Sequence, residues 1–415
     1  MKMTILAGTQ ELKEFSPEYA HMYSDEHRIS ALKRLINGME IFSGKAAGIC
    51  YMKDEYFGTN VSNDEKAESR FDTVAPTGHH SIADHTFFTV LFEGIPKMTA
   101  MILNALGFYD ASEKSGRYTV MKSEGYDTNY ILYDKWRGIF PKLIKDRYPN
   151  LDDKLVEKLS LENARYMLSV FAPSTVMAYT TSLRMWSYIR DMLNRYIDRN
   201  SNLLGDTDFN LKLLECITEL RDKINELGIT SEKIVENKGR ELNFLAKQTG
   251  FNIWDEEESF SASYLIKYKT SLVDLAQEQR HRTLDYFMCF DGSPVKYYVP
   301  EILRDTEYEE KWLEDITTVS ESYPIGTMVD VVETGLITNF LYKCDERLCG
   351  RVQLETMRNV EFNLCKFVRS WHKSPFMLKQ LQKHFRDGKI IMKCGNIKCM
   401  EPCAWGPVEA QKRMI

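Results

Sequence analysis

The residues best suited to chemistry stand in Ala276-Gln277-Glu278-Gln279-Arg280-His281-Arg282, where two guanidiniums flank an imidazole. Arginine presents a planar fork of donors that fits a phosphate or the carbonyl edge of a heterocycle. A histidine between two cations is biased toward its neutral form. Together they would grip an anionic ligand or a cofactor. Taken alone, an Arg-His-Arg triplet is also what a solvated helix end looks like, since cations are favoured at the negative end of the helix dipole. The preceding residues read as that helix: Ser271 caps it, Asp274 reaches back to complete a capping box, and Leu272, Val273, Leu275 and Ala276 cover its buried side. Gln277 and Arg280 then fall one turn apart on one face.

Four further groups carry functional chemistry. Gly78-His79-His80-Ser81 with Asp84-His85 gathers three histidines and a carboxylate, but at no standard zinc spacing. Ser115-Gly116-Arg117 offers a hydroxyl, a glycine that admits a ligand to the backbone and a phosphate fork, though alone it reads equally as a turn, and Arg165 stands by itself further on. Arg347, Arg351, Glu355 and Arg358 recur at helical spacing, which equally suits ion pairs on a solvated face. Cys394, Cys399 and Cys403 would hold zinc if Cys349 or Cys365 supplied a fourth sulfur, although the paired Cys-x-x-Cys knuckle is missing. Three thiols in a packed tail is the alternative.

The elements that must position these groups are partly legible. Phe87-Phe88-Thr89-Val90-Leu91-Phe92 reads as a buried strand behind the histidine segment. A helix follows Pro96, its stripe made by Met98, Met101, Ile102 and Leu106. Ala46 to Tyr51 reads as a small-residue helix end or a close backbone contact. Between about 125 and 245 the periodicity is mostly helical, with runs from Leu155 to Leu168, Met177 to Ile197 and Leu211 to Leu227 and a loop around Asn200 to Asp206. The order of features then recurs: a charged helix, the acidic run Asp255 to Glu258, an aromatic and β-branched stretch, a capped helix and an extended Val295 to Pro300. The expected fold class is α+β, each half an antiparallel sheet with packed helices, divided into 1–235 and 236–415 with the junction inside 228–245.

A chain of 415 residues with 43% apolar side chains has ample material for two cores. Its net charge of -6 argues against broad affinity for nucleic acid or anionic membrane. No run reaches the roughly 18 apolar residues of a membrane span, and the N-terminus becomes charged too early for a signal peptide. Nine scattered cysteines point to reduced thiols. A cytoplasmic protein with a small phosphate partner is the expectation.

The groups together resemble the flavin-dependent thymidylate synthases (ThyX), whose chains carry Gly-His-x-[Ser/Thr]-x-x-Glu-His before a strand, Gln-x-x-Arg-His-Arg followed by Ser-x-Arg, and a late Arg-x-Cys-x-x-Ala-Gln-x-Glu-Ile-Arg helix. Here the pieces are divided. The first half keeps Gly78-His79-His80-Ser81 with Asp84-His85, and Glu113, Ser115, Gly116 and Arg117, but has Ala105, Leu106 and Gly107 where Arg-His-Arg would stand. The second keeps Gln277, Arg280, His281 and Arg282 but has Phe290 at the serine position, and its Arg347, Cys349, Gln353, Glu355 and Arg358 match the late helix, with Val352 and Thr356 as departures. Asn163-Ala164-Arg165 resembles the family's Ala-Arg and has no counterpart later. The losses are complementary, as expected if a tandem duplication retained one composite site.

The resemblance implies reductive methylation of dUMP to dTMP, with methylenetetrahydrofolate and NADPH as co-substrates and FAD as cofactor. It implies that His79, Ser81, Glu113, Arg280, His281 and Arg282 bind FAD, and that Ser115, Gly116, Arg117, Arg165, Gln277 and Arg347 bind a pyrimidine deoxynucleotide monophosphate. No protein nucleophile is required, so Cys50 need be no more than a structural or weak cofactor contact. A homodimer would mimic the family's tetramer. Two alternatives stand: the same chemistry on another pyrimidine nucleotide or with a 5-hydroxymethyl product, and a non-catalytic nucleotide-binding or structural derivative.

Overall fold

The computed structural model describes residues 1–8, 24–49, 63–121, 127–201, 207–236, 238–245, 253–290, 294–370, 379–396, 399 and 403–415. Cys50 and the loop at 202–206 lie outside them. The chain forms two compact units. One comprises 1–114 and 173–243, the other 115–172 and 244–415. Segment 115–172, which lies in the first half of the sequence, therefore folds with the second.

The first unit is built on a four-stranded antiparallel sheet in the order β1-β2-β4-β3, formed by Lys2–Gly8, Phe87–Ile95, Tyr109–Glu113 and Thr175–Ser182. In β2, Phe88, Val90 and Phe92 alternate into the core, as a sheet with one covered face requires. The helix expected from Met177 begins only at Leu183, because Thr175–Ser182 is β4. The period there is two: Met177 and Tyr179 are buried, and Ser182 accepts a hydrogen bond from the Met185 amide to start the helix. The helix Asp25–Gly48 ends at the small residues as expected. Gly44 meets the helix Asp64–Val74 so closely that a Cβ there would stand 2.0 Å from the Ala67 carbonyl oxygen.

The second unit repeats this sheet in the order β5-β6-β8-β7, from Ser259–Phe260, Ser263–Ser271, Asp285–Cys289 and Met328–Leu336, again antiparallel. In each unit the second strand leads to a short helix and then the third, and the fourth runs directly into a long helix, Leu183–Asn200 in one and Ile337–Arg347 in the other. A mixed α and antiparallel β fold is thus present, with two sheets of matching order. The extended 295–300 segment makes one β-bridge, Tyr297 to Thr327.

Two local expectations change. Arg280-His281-Arg282 does not lie on a helix: Leu272–Glu278 is seven residues long and the triplet occupies the turn after it. Nor do Arg347, Arg351, Glu355 and Arg358 share one helix, since Ile337–Arg347 ends and Leu354–Ser370 begins around a turn at 348–353. Close packing accompanies that break. A Cβ on Gly350 would stand 3.1 to 3.2 Å from Trp405 and Ala410.

Candidate functional site

In the second unit the carried-over nucleotide residues are assembled from both halves of the sequence. Ser115 opens a turn in which its hydroxyl accepts from the Arg117 amide at 3.3 Å and its carbonyl from the Thr119 amide at 3.0 Å. Arg117 donates Nε to Glu162 Oε2 at 2.6 Å and Nη2 to the Arg351 carbonyl at 2.9 Å. Arg165 follows the helix Asp153–Ala164 immediately, and its Cδ lies 3.5 Å from where a Cβ of Gly116 would be. Its Nη2 donates to Gln353 Oε1, which also receives Gln277 Nε2. One connected cluster thus joins Ser115, Gly116, Arg117 and Arg165 to Gln277.

Glu162 is the electrostatic anchor of this cluster. It is fully buried, which alone would raise its carboxyl, yet Arg117, Arg165 and Arg413 outweigh that and hold it below the usual carboxylate range. Burial lowers the Arg165 guanidinium, with the Glu162 charge opposing. Three arginines around one carboxylate leave surplus positive charge for an anion, the condition a phosphate site needs.

Glu355 ties the same cluster to the helix bearing Gln277. Its Oε1 accepts from the Ser271 amide at 2.9 Å and its Oε2 from the Ser271 and Tyr166 hydroxyls, both at 2.7 Å. The expected capping box is therefore closed differently. Ser271 caps Asp274 N as predicted, but the reciprocal carboxylate is Glu355, while Asp274 Oδ2 accepts from Thr270 Oγ1 at 2.6 Å and Asn359 Nδ2 at 2.5 Å. Sequence spacing could not reveal this, because the partner comes from 84 residues away.

In the turn that follows, His281 is buried while Arg280 and Arg282 are exposed. Nδ1 of His281 lies 3.1 Å from Glu346 Oε2, and its ring packs against Tyr342 with centroids 5.2 Å apart. Burial lowers its pKa and the nearby Arg347 charge adds to this, so the imidazole is held neutral as expected, though Arg347 rather than the flanking arginines is the principal charge. Beneath the turn, Lys343 pairs with Glu278 at 2.7 Å and Glu333 at 2.8 Å, all three without solvent exposure. His281 Nε2 and Arg347 Nε are buried and make no hydrogen bond among the described residues. The Arg347 nitrogen is a donor that fits a ligand oxygen, and His281 Nε2, an acceptor while Nδ1 donates to Glu346, fits a ligand N–H or O–H; a flavin carries both kinds of group.

The first unit holds the histidine motif. Gly78 adopts φ +93°, a conformation that favours glycine, and delivers exposed His79 and Ser81 at the start of a 3-10 turn. His80 belongs to the core, its Nδ1 2.8 Å from the Tyr188 hydroxyl. Arg184, which the motifs did not single out, clasps Asp84 with Nε at 2.8 Å and Nη2 at 2.6 Å. Its signal was available in Ser182-Leu183-Arg184, one cap before a helix. Glu113 is engaged by Lys97 Nζ at 2.5 Å.

Cys394, Cys399 and Cys403 are half-buried. Among the described residues, no group of three or more His, Cys, Asp or Glu side chains is already disposed to hold a metal ion. No described helix is long and apolar enough to cross a membrane.

Comparison with known proteins gives three findings. Residues 34–195 match the model of a family described as thymidylate synthase complementing protein, Thy1. No curated protein matches. Among solved structures, ThyX from Helicobacter pylori with FAD and dUMP is similar at 13% identity and a TM-score of 0.30, over 56% of this chain and 95% of that one. A second Helicobacter pylori ThyX complex with FAD and dUMP aligns with the same identity and TM-score, over 56% of this chain and all of that one. The family match extends over residues 34–195 of the 415, and it is this segment that is similar to the thymidylate synthase complementing proteins.

Proposed function

We propose that the protein is a flavin-dependent thymidylate synthase that converts dUMP to dTMP, with methylenetetrahydrofolate as one-carbon donor and NADPH as reductant. The observation that supports this best is the cluster of Ser115, Gly116 and Arg117 with Arg165 and Gln277, first-half and second-half motifs gathered within one compact unit. A dead derivative has no reason to keep complementary motif parts in contact.

In this reading Arg117 and Arg165 bind the nucleotide phosphate, with Glu162 holding their forks ready, and Ser115 and the Gly116 backbone complete that subsite. Gln277 and Arg347 face the base and phosphate. His281, Arg280, Arg282, His79, Ser81 and Glu113 are the FAD contacts. FAD, when bound, supplies the redox chemistry that this side-chain set lacks. With Nδ1 donating to the Glu346 carboxylate, neutral His281 presents an acceptor at Nε2 and adds no positive charge beside Arg280, Arg282 and Arg347.

The two sheets of matching strand order support a tandem duplication with halves near 1–235 and 236–415, each standing for one family subunit, and a homodimer as the assembly. A cytoplasmic location belongs to the same reading. Zinc remains proposed for Cys394, Cys399 and Cys403, with Cys349 rather than Cys365 as fourth sulfur. The Lys393 amide donates to the Leu348 carbonyl at 2.8 Å, which sets Cys394 beside Cys349.

The function is tested by incubating the purified chain with FAD, NADPH, methylenetetrahydrofolate and dUMP and measuring dTMP. Product that requires all four supports it. No product from flavin-loaded, folded protein refutes it, and product with dCMP instead moves the reading to another pyrimidine.

A further inference from the structure

A relay of hydrogen bonds runs from a buried carboxylate to the candidate base contact, and its directions can be read one after another. Glu355, when ionised, accepts only. Tyr166 gives its one hydroxyl proton to Glu355 Oε2 at 2.7 Å, which leaves only lone pairs on that oxygen for its other neighbour. That neighbour is the Gln353 amide, which must therefore present its nitrogen, and Nε2 does donate to the Tyr166 hydroxyl. The Gln353 carbonyl oxygen is thereby turned the other way. Arg165, a donor at every nitrogen, meets that oxygen, and so does Gln277 Nε2. Each assignment agrees with the next.

We propose that Glu355, Tyr166 and Gln353 are positioning residues that fix the amide orientation of Gln277, so that its carbonyl oxygen faces the nucleotide base and selects a pyrimidine ring that donates an imide N–H. This rests on the reading of the cluster as a nucleotide site. With its nitrogen committed to Gln353, Gln277 offers an acceptor on the other side. A uracil-type ring has a donor at N3 to meet it. A cytosine-type ring has a lone pair at N3, so two acceptors would face each other and one buried polar atom would go unpaired. Gln277 cannot simply turn over, because its oxygen would then oppose the Gln353 oxygen beside Arg165. The scaffold around the relay is rigid: Tyr166 is fully buried and stacks on Tyr298 with centroids 4.8 Å apart. Gln353 is 2% exposed.

The test is a pair of dissociation constants, for dUMP and dCMP, on the full FAD-loaded chain and its variants. Tyr166→Phe removes the hydroxyl that orients Gln353, and Gln353→Met removes the acceptor that orients Gln277. Gln353→Met should reduce the dUMP over dCMP preference by about tenfold, on the order of one oriented hydrogen bond, and Tyr166→Phe by less, because Arg165 still meets the Gln353 oxygen. Competition by inorganic phosphate should stay within twofold in Tyr166→Phe, since Arg117 and Arg165 keep Glu162. Adding Gln353→Glu to Tyr166→Phe should restore the preference, because a carboxylate accepts at both oxygens and needs no tyrosine to turn it. A preference unchanged within twofold in both folded single variants, or no recovery in the double variant, overturns the relay. If the parent binds FAD but neither nucleotide, the site reading itself falls, and the relay with it.

Discussion

Removing the charge of Glu162 while keeping its shape should destabilise the protein by about 3 kcal/mol. Glu162→Gln leaves Arg117, Arg165 and Arg413 together without their shared counter-ion. Breaking a buried pair from one side typically costs about 3–5 kcal/mol, since the remaining charge stays desolvated. The lower end applies here. The Arg117 side chain retains 17% exposure and its 2.9 Å bond to the Arg351 carbonyl, so water and backbone recover part of the loss. The pH dependence provides a second handle. The folded carboxyl is held below its unfolded value, so its contribution is complete above the unfolded pKa of about 4.5 and disappears as pH falls through the folded pKa. The parent and variant should therefore differ fully at pH 7 and converge in acid. Inorganic phosphate should stabilise Glu162→Gln more than the parent, because it replaces the missing anion. Urea denaturation at pH 7 and in acid, with and without phosphate, measures all three. A loss under 1 kcal/mol at pH 7, or a gap that widens in acid, would refute the view that Glu162 organises these arginines.

Other outcomes follow from individual contacts. Arg117→Ala should weaken nucleotide binding by at least tenfold and spare FAD, whereas His281→Ala should do the reverse; equilibrium dialysis with each ligand separates them. Gly44→Ala places a Cβ 2.0 Å from backbone that belongs to another helix, so the helices must part at a cost of roughly 1–3 kcal/mol, seen as a lower Tm. His281 is neutral and buried with a lowered pKa, so its contribution to stability is intact above an unfolded value of about 6.5 and declines as pH falls below it; His281→Asn should flatten that part of the stability profile in chemical denaturation. Zinc bound at Cys349, Cys394, Cys399 and Cys403 would appear as one equivalent per chain by elemental analysis, lost in Cys394→Ser and retained in Cys365→Ser.

Much of the site could be read from the sequence because its parts keep local signatures. Ser115-Gly116-Arg117, Arg165 and Gln277 were singled out through the resemblance to family motifs, and the structure gathers them. What spacing could not supply was long-range geometry. Arg280-His281-Arg282 leaves its helix because the helix is only seven residues long and strand β7 must begin at Asp285. Apolar residues from Met177 onward suit either period in a short window, and pairing with β2 and β3 decides for a strand. Glu162 looks like an ordinary polar residue of a helix, and Gln353 and Glu355 were marked only as motif matches; their partners, 45 to 189 residues distant, give all three a role. The regrouping of 115–172 with the second half is likewise a tertiary fact. Repeat order was visible in the sequence, and the two sheets of one strand order agree with it.

The central claim is that motif parts from two halves compose one working site. It is tested most directly by tritium release from [5-3H]dUMP, with FAD, NADPH and methylenetetrahydrofolate, comparing the parent with Arg165→Ala and His281→Ala. The account predicts release by the parent that needs every component and falls at least a hundredfold in each variant, one from either half. Release that survives both substitutions, or none from a folded, flavin-loaded parent, would contradict it.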